Sequence, residues 1–281
     1  MKDILVTVAI PFYNASKFLK KAISSVLNQY FQDFELILID DGSTDDSLKI
    51  AKSFNDYRIR IISDGKNKGL IYRLNQSIEL AKGKYYARMD ADDIMHPMRL
   101  KIQLNYLSQN PSIDVLGTSY YSIDNNDNIR GCILLNNKCN KNNINILHPS
   151  VIALTSWFKN NPYSSQYIRI EDTELWMRTI SFSTIYNLSE PLMFYRDFGM
   201  PIWKKYVRTQ ITAIKLYSET EKYDLSFCFS AKKIATSFLK IIICTLLYIL
   251  GKTDIIVSLR KRNLIDYDSQ TAFKNLTEAI K

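Results

Sequence analysis

The chain has 281 residues, 46% of them apolar and 23% charged, with a formal net charge of +9. At that length folding buries roughly three quarters of the unfolded surface, which excludes a disordered or fibrous chain and leaves one catalytic domain plus an appendage. The charge is uneven, with +7 of the +9 lying after Phe198. The basic residues are not clustered among aromatics in any nucleic-acid-binding module, so nucleic acid is not expected as a partner. A membrane surface suits the basic tail better. Cys132, Cys139, Cys228 and Cys244 form no Cys-x-x-Cys pair and no signal peptide precedes the first apolar run, so a reduced, cytoplasmic setting without cysteine-bound metal is expected.

Leu5–Ile10 is a β-branched run stopped by Pro11 and reads as a buried strand. Ala15-Ser16-Lys17 opens a helix with Phe18, Leu19, Ala22, Ile23, Val26 and Leu27 at helical spacing. Phe34–Ile39 is the second strand, Asp45–Phe54 the second helix, and Ile59–Ile62 a third strand. Leu70–Ala81 is a helix stopped by Gly83, followed by a strand at Lys84–Ala87. This alternation specifies an α/β fold with a Rossmann-like, mostly parallel sheet flanked by helices. Pro97–Leu107 then predicts a helix and Val115–Ser122 a strand. Asn125–Asn145, rich in Asn and Lys, predicts a surface excursion. A helix opens at Glu171-Asp172-Thr173-Glu174, and Leu192–Tyr195 closes the sheet.

Two acidic clusters follow strands: Asp40-Asp41-Gly42-Ser43 and Asp90-Ala91-Asp92-Asp93. Both therefore belong at the carboxyl edge of the sheet, where open α/β sheets bind ligands. Crowded carboxylates repel one another and are costly to desolvate unless a cation joins them. A hard divalent metal with oxygen ligands is the expected occupant, and diphosphate its expected anionic partner.

Val8-Ala9-Ile10-Pro11-Phe12-Tyr13-Asn14, Asp40-Asp41-Gly42-Ser43-Thr44-Asp45 and Ala87-Arg88-Met89-Asp90-Ala91-Asp92-Asp93, in that order, resemble a family 2 glycosyltransferase with the GT-A fold. His148-Pro149-Ser150, Glu171–Trp176 and Pro191–Arg196 extend the likeness, which covers about residues 4–198. It implies a GT-A catalytic domain over residues 1–198, with a nucleotide-sugar half to about 122 and an acceptor half over 123–198. It further implies inverting transfer of one sugar from a nucleotide donor, with Mn²⁺ or Mg²⁺ bridging the diphosphate. Short bacterial relatives imply an O-antigen or capsule glycan as acceptor, carried on polyprenyl diphosphate.

Carried over residue by residue, the resemblance places Pro11, Tyr13, Asp41, Lys68, Arg88 and Asp90 around the nucleotide-sugar. Tyr13 either stacks on the base or covers core, and Asp41 accepts from a uracil N–H. Asp90 faces the ribose or sugar, and Asp92 ligates the metal. Lys68 and Arg88 contact phosphate or are plain surface charges. Asp40 braces its turn, where Gly42 lets backbone approach closely. Asp93 joins the metal shell or caps the next segment of chain, and His148 lines the acceptor side or is structural. Asp172 is the general base, with Glu171 beside it; the alternative is that the pair only caps its helix. Relatives often carry a glycine turn shortly before this pair, whereas Asn161–Tyr167 has none. A nucleotidyltransferase or a non-catalytic sugar-nucleotide binder are the rival readings. The first lacks a glycine- and arginine-rich loop after the first strand, and the second does not need both a metal pair and Asp172.

Residues 199–281 match no familiar pattern and read as a helical, basic tail. Within it Ile234–Leu250 is apolar apart from Lys240, and at 17 residues falls short of the roughly 20 of a bilayer span. A packed helix, a helix lying in the interface and a true span all remain open. Lys232-Lys233, Lys252 and Arg260-Lys261-Arg262 around the run favour peripheral binding to the anionic inner face of the cell membrane.

Overall fold

The computed structural model describes residues 4–141, 143–197, 203–252 and 267–281. Four parallel strands form one half of the sheet in the order β3 (Ile59–Ser63), β2 (Phe34–Asp40), β1 (Val6–Phe12), β4 (Tyr85–Arg88). The links between them contain α1 (Leu19–Leu27), α2 (Ser47–Lys52) and α3 (Leu70–Leu80). Every residue of β1 and β2 is buried, as unbroken apolar runs require when helices cover both faces of a parallel sheet. Glu35, a charged residue inside β2, is compensated by Thr7 Oγ1 at 2.7 Å, the Lys82 amide at 2.7 Å and Arg60 Nη1 at 2.6 Å.

Beyond β4 the pairing changes. β8 (Ile152–Leu154) lies antiparallel between β4 and β6 (Val115–Ile123), β9 (Ile185–Arg196) runs parallel to β6, and β5 (Ile94–Met95) is antiparallel to β9. The parallel pairing read from the sequence thus describes the first half, and a mixed half is joined to it through β8. The stretch expected as an excursion contributes β7 (Ile129–Ile133), antiparallel to β6. Cys132 and Ile133 of this strand enter the core, while its Asn- and Lys-rich flanks hide it from periodicity.

Four further helices and one turn complete this region and its flank. They are α4 (Arg99–Gln109), a 3₁₀ turn at His148–Ser150, α5 (Thr155–Asn160), α6 (Glu171–Thr179) and α7 (Trp203–Ser218). Leu216 of α7 and Tyr223 in the turn after it pack with Tyr167, Ile170 and Met177, which ties the tail to α6 and the segment leading into it. α8 (Phe227–Ile249) pairs with α7 and contains most of the apolar run. Its buried positions, Ser230, Ser237 and Cys244, recur every seven residues. α9 (Ser269–Ala279) returns to the sheet and buries Ala272, Leu276 and Ala279 with Ile94, Tyr121 and Phe194. The proposed boundary at 198/199 and the basic Arg260-Lys261-Arg262 lie outside the described residues. No described helix is long and apolar enough to cross a membrane. None of the four cysteines is in a disulfide.

Gly83 controls how closely the α3–β4 connection approaches β1. Its amide donates to Thr7 Oγ1 at 2.9 Å, and a Cβ there would stand 2.3 Å from the Thr7 nitrogen and 2.5 Å from the Val6 carbonyl carbon. Backbone of a central strand cannot yield as a side chain can. Gly83→Ala is therefore expected to cost about 1–3 kcal/mol, measured as a lowered urea midpoint; an unchanged midpoint would show that the connection relaxes freely.

Candidate active site

The loops after β1 and β2 are stitched together by Asn14, which adopts φ +48°. Its Oδ1 accepts from the Thr44 and Asp45 amides at 2.8 and 3.3 Å, and its own amide donates to Ser43 Oγ at 3.1 Å. Asp40 braces this turn, accepting from the Ser43 amide at 2.9 Å and Ser63 Oγ at 2.8 Å. Gly42 sits at φ +73°, and a Cβ would lie 2.8 Å from the Lys66 carbonyl carbon, so two loops meet backbone to backbone here. Pro11 is buried at the end of β1, while the Tyr13 ring stands 49% exposed beside this junction.

Asp41 is buried and already well bonded. Its Oδ1 accepts from the Lys68 amide at 2.8 Å and Arg73 Nε at 2.9 Å, and its Oδ2 accepts from the Gly69 amide at 3.0 Å. A carboxylate offers about four lone-pair sites, so Oδ2 keeps capacity for one more donor. Arg73, fully buried on α3, also grips Asp64 at 2.6 Å and the Lys66 carbonyl at 2.6 Å. Lys68 pairs with Asp64 at 2.7 Å, an ion pair that holds its ammonium pKa above the ordinary lysine value.

At the end of β4, Asp90, Asp92 and Asp93 bring their carboxylates within 4.8 Å of one another. Asp93 is buried; its Oδ1 accepts from the Arg196 amide at 2.8 Å, while its Oδ2 has no partner among the described residues. Burial, then repulsion from Asp92 and Asp90, raise Asp93 well above the usual carboxylate range. Asp92 keeps an open face, yet the protein packed around it and the charge of Asp90 push it up to about 6. An orphaned buried oxygen and three mutually repelling carboxylates fit a hard divalent cation. Arg196 braces the cluster, donating from Nε to the Asp92 carbonyl at 2.8 Å and from Nη2 to Asp127 at 2.6 Å.

A cleft of about 1620 Å³ runs from Lys68 and Gly69 past Arg88 and Asp90 to His148, Glu171 and Asp172. Arg88, buried, pairs through Nη2 with Asp90 at 2.8 Å, while its Nε and Nη1 lack partners among the described residues. Asp172 lies at the start of α6, and its Oδ1 takes the Thr173 amide at 2.7 Å. Asp172 thereby satisfies one amide in the first turn of α6, whose N-cap is Ile170, while its Oδ2 lies 3.7 Å from His148 Nδ1 on the cleft side. Burial raises Asp172 above the normal aspartate range. Glu171 is raised too, by burial and then by Asp172. Two acids at a helix start also suit its dipole.

The cleft thus collects Lys68, Arg88, Asp90, His148, Glu171 and Asp172 from the expected set. Pro11, Tyr13, Asp40, Asp41, Asp92 and Asp93 do not line it; they form its shoulders at the carboxyl ends of β1, β2 and β4. Sequence reasoning missed Arg73, Arg99, Tyr163 and Arg196. Arg99, fully buried on α4, donates to the carbonyls of Pro149, Arg88 and Val151 at 3.0, 3.1 and 3.2 Å. Its available signal was an arginine beside a strongly apolar helix face, which is indistinguishable from a surface charge in sequence.

The family model for glycosyl transferase family 2 matches residues 7–192. This chain belongs to that family. An uncharacterized glycosyltransferase of Methanocaldococcus jannaschii is 32% identical over 76% of this chain and 77% of its own. The Escherichia coli UDP-Glc:alpha-D-GlcNAc-diphosphoundecaprenol beta-1,3-glucosyltransferase WfgD is 30% identical over 66% of this chain and 73% of its own. In structure the family 2 chain resembles S. aureus TarS bound to UDP-GlcNAc, with a TM-score of 0.65 at 18% identity over 99% of this chain and 82% of that one. A mannosyltransferase from Pyrobaculum calidifontis, complexed with GDP-Man and Mn²⁺, aligns at TM-score 0.58 and 12% identity over 98% of this chain and 85% of its own. These structural likenesses establish the GT-A fold.

Asp93 gives a test of the cluster in this glycosyltransferase. Its pKa is higher folded than unfolded, so it penalises folding above the unfolded value, and the penalty vanishes as pH falls below that value. Asp93→Asn keeps the acceptor for Arg196 and removes the charge. In chelator-treated protein its Tm should exceed wild type at pH 7 and converge with it near pH 4. Added Mn²⁺ should raise the Tm of wild type more than that of the variant. Equal responses to Mn²⁺ would remove Asp93 from the metal shell.

Proposed function

We propose that this glycosyltransferase moves one sugar from a UDP-sugar to a glycan acceptor with inversion at the anomeric carbon, in assembly of a bacterial surface polysaccharide. The observation that carries this reading is the shared cleft: Arg88 pairs with Asp90 of the acidic cluster and acts electrostatically on Glu171 and Asp172 opposite. A donor held at the acidic end then presents its anomeric carbon toward the cleft-side Oδ2 of Asp172. Inversion needs one such base and no nucleophile.

In this mechanism Asp41 takes the uracil N–H on the spare capacity of Oδ2, and the exposed Tyr13 ring stacks on the base. Asp92, with Asp90 and Asp93, would hold Mn²⁺ or Mg²⁺, which when bound neutralises the charge on the leaving diphosphate. Lys68 and the unpartnered Arg88 donors add positive charge along the same path. Asp172 Oδ2 accepts the acceptor hydroxyl proton as that oxygen bonds to the anomeric carbon and the bond to diphosphate breaks. Burial raises its pKa and so strengthens it as a base, while the Thr173 amide and Arg88 oppose that rise.

Asp172→Asn keeps size and the Thr173 contact but cannot take a proton. Turnover should fall by about 10²–10⁴-fold with UDP affinity unchanged. The acid limb of kcat/KM in the wild type should lie above the ordinary aspartate range and be absent from the variant's residual rate. Near wild-type turnover in Asp172→Asn would move the base elsewhere.

The proposed acceptor is a glycan on polyprenyl diphosphate, met at the inner face of the cell membrane. The support lies in α8, where Phe238, Leu239, Ile242, Ile243, Leu246 and Ile249 are exposed at spacings that place them on one helix face. Ser230, Ser237 and Cys244 are buried at angles around the helix that put them opposite. Lys232 and Lys252 flank this stripe and Lys240 interrupts the run; each basic residue is worth about 1 kcal/mol near an anionic leaflet. Because α9 covers a core face, removing the whole tail would bare Ile94, Tyr121 and Phe194; point charges on α8 are the cleaner probe. The intact protein should float with anionic vesicles, partly released by high salt, and Ile242→Glu with Leu246→Glu should abolish flotation without loss of transfer to a soluble acceptor. Failure of the wild type to float at low salt would end the membrane reading.

A further inference from the structure

His148 is buried on the cleft wall with Nε2 2.7 Å from Tyr163 Oη and Nδ1 3.7 Å from Asp172 Oδ2. Its surroundings decide where the protons sit. Burial, and then the Arg88 charge, hold His148 well below its usual range, so the ring is neutral and only one nitrogen carries hydrogen. With that hydrogen on Nε2, a bare Nδ1 lone pair would face the Asp172 carboxylate and the buried phenol would lack an acceptor, since His148 is the hydrogen-bond partner of Tyr163 Oη among the described residues. Tyr163 donating to Nε2 resolves both conflicts and turns Nδ1–H toward Asp172.

Tyr163 is itself fixed. Its amide donates to Asn75 Oδ1 at 3.0 Å and its carbonyl accepts from Asn75 Nδ2 at 2.9 Å, which pins it to α3. Its ring lies 5.3 Å from that of His148 and 6.2 Å from that of Phe158. We propose that Tyr163 and His148 form a positioning pair that sets the orientation of Asp172, a role that rests on Asp172 being the base. Oδ1 is held by the Thr173 amide, and Oδ2 faces Nδ1–H at 3.7 Å, an electrostatic contact that biases its orientation and leaves its lone pairs to the acceptor hydroxyl. The 3.7 Å separation exceeds hydrogen-bond reach, and catalytic contacts are often this long before substrate is bound. Neither member of the pair exchanges a proton: the hydroxyl proton ends on Asp172. The charged and titratable groups facing the pair are Arg88 and Tyr86 from β4, with Asp90 behind Arg88, and Glu171 and Asp172 from α6.

The test measures UDP release from the best donor among UDP-Glc, UDP-Gal, UDP-GlcNAc and UDP-GalNAc, with Mn²⁺ and a soluble acceptor. His148→Ala and Tyr163→Phe should each lower kcat by about 10- to 100-fold, the scale of a misplaced catalytic group, with UDP affinity and Tm near wild type. His148→Asn, whose amide can stand where Nδ1–H stands, should recover most of the rate. In an Asp172→Asn background, His148→Ala should cost nothing further, because residues acting as a unit are not additive. Equal losses in both backgrounds, or no rescue by Asn, would overturn the pair while leaving Asp172 as base. If Asp172→Asn alone kept full turnover, the base assignment would fall first and the pair with it. Should His148→Ala lower the Tm, Tyr163→Phe, which removes one hydroxyl and no ring, decides: unchanged kcat there overturns the proposal.

Discussion

The fold has to hold three carboxylates and three arginines against one another at the carboxyl end of β4, and much else in the structure depends on that crowding. Asp90, Asp92 and Asp93 repel one another, and uncompensated buried charges cost far more than any single packing contact returns. Arg88 reaches Asp90 from within the strand, Arg196 donates its backbone to Asp93 and its guanidinium to the Asp92 carbonyl, and Arg99 lies underneath. Arg99 bonds only neutral acceptors, and burial lowers its pKa to about 9. Its three carbonyl partners belong to β4, the His148 turn and Val151, the residue between that turn and β8. One buried side chain thereby fixes the distance between the acidic cluster and the opposite wall of the cleft.

This arrangement also explains why the sheet changes character where it does. β4 is the last strand of the parallel half, and β8 pairs with it antiparallel directly after the His148 turn. A parallel neighbour would need another crossover helix on this edge. The short antiparallel strand instead delivers the His148 turn next to Arg88, whose amide donates to the Val151 carbonyl at 3.0 Å. The site lies at the junction of the two halves because only there do loops from both reach the same end of β4.

How much of this was legible in the sequence divides along the range of the interactions. β1, β2 and the α3–β4 unit could be read to within a residue or two, because two-sided burial leaves unbroken apolar runs and Gly83 marks a stop. Asp90 and Asp92 could be singled out because crowded carboxylates are costly without a cation, and Asp172 only through the family resemblance, since paired acids also cap helices. β5 and β8, two and three residues long, carry no period to detect, and β7 hides between polar flanks. The resemblance gives Asp41 one partner, a uracil N–H, whereas its loop partners and Arg73 lie 27 to 32 positions away and carry no local signal. Arg73 looks like the polar face of an amphipathic helix, and only folding shows that Asp41 and Asp64 let it be buried. Tyr163 lies in the segment that departs from the family pattern, so resemblance offered no hint of it.

That departing segment is also where the tail meets the chemistry. Between Tyr163 and Glu171, Tyr167 is buried with its hydroxyl 2.7 Å from Glu219 and 2.8 Å from Lys222, and Arg169, at φ +75°, donates to Thr209 of α7 at 2.9 Å. Ile168 and Arg169 line the cleft between these anchors. The segment is therefore clamped on one side by α3 through Asn75 and on the other by α7, with little freedom left to adapt to a ligand. A glycine turn would supply that freedom. This chain holds the same segment with an aromatic and charged clamp, so its cleft wall is set by how α7 packs, and α7 in turn packs against α8.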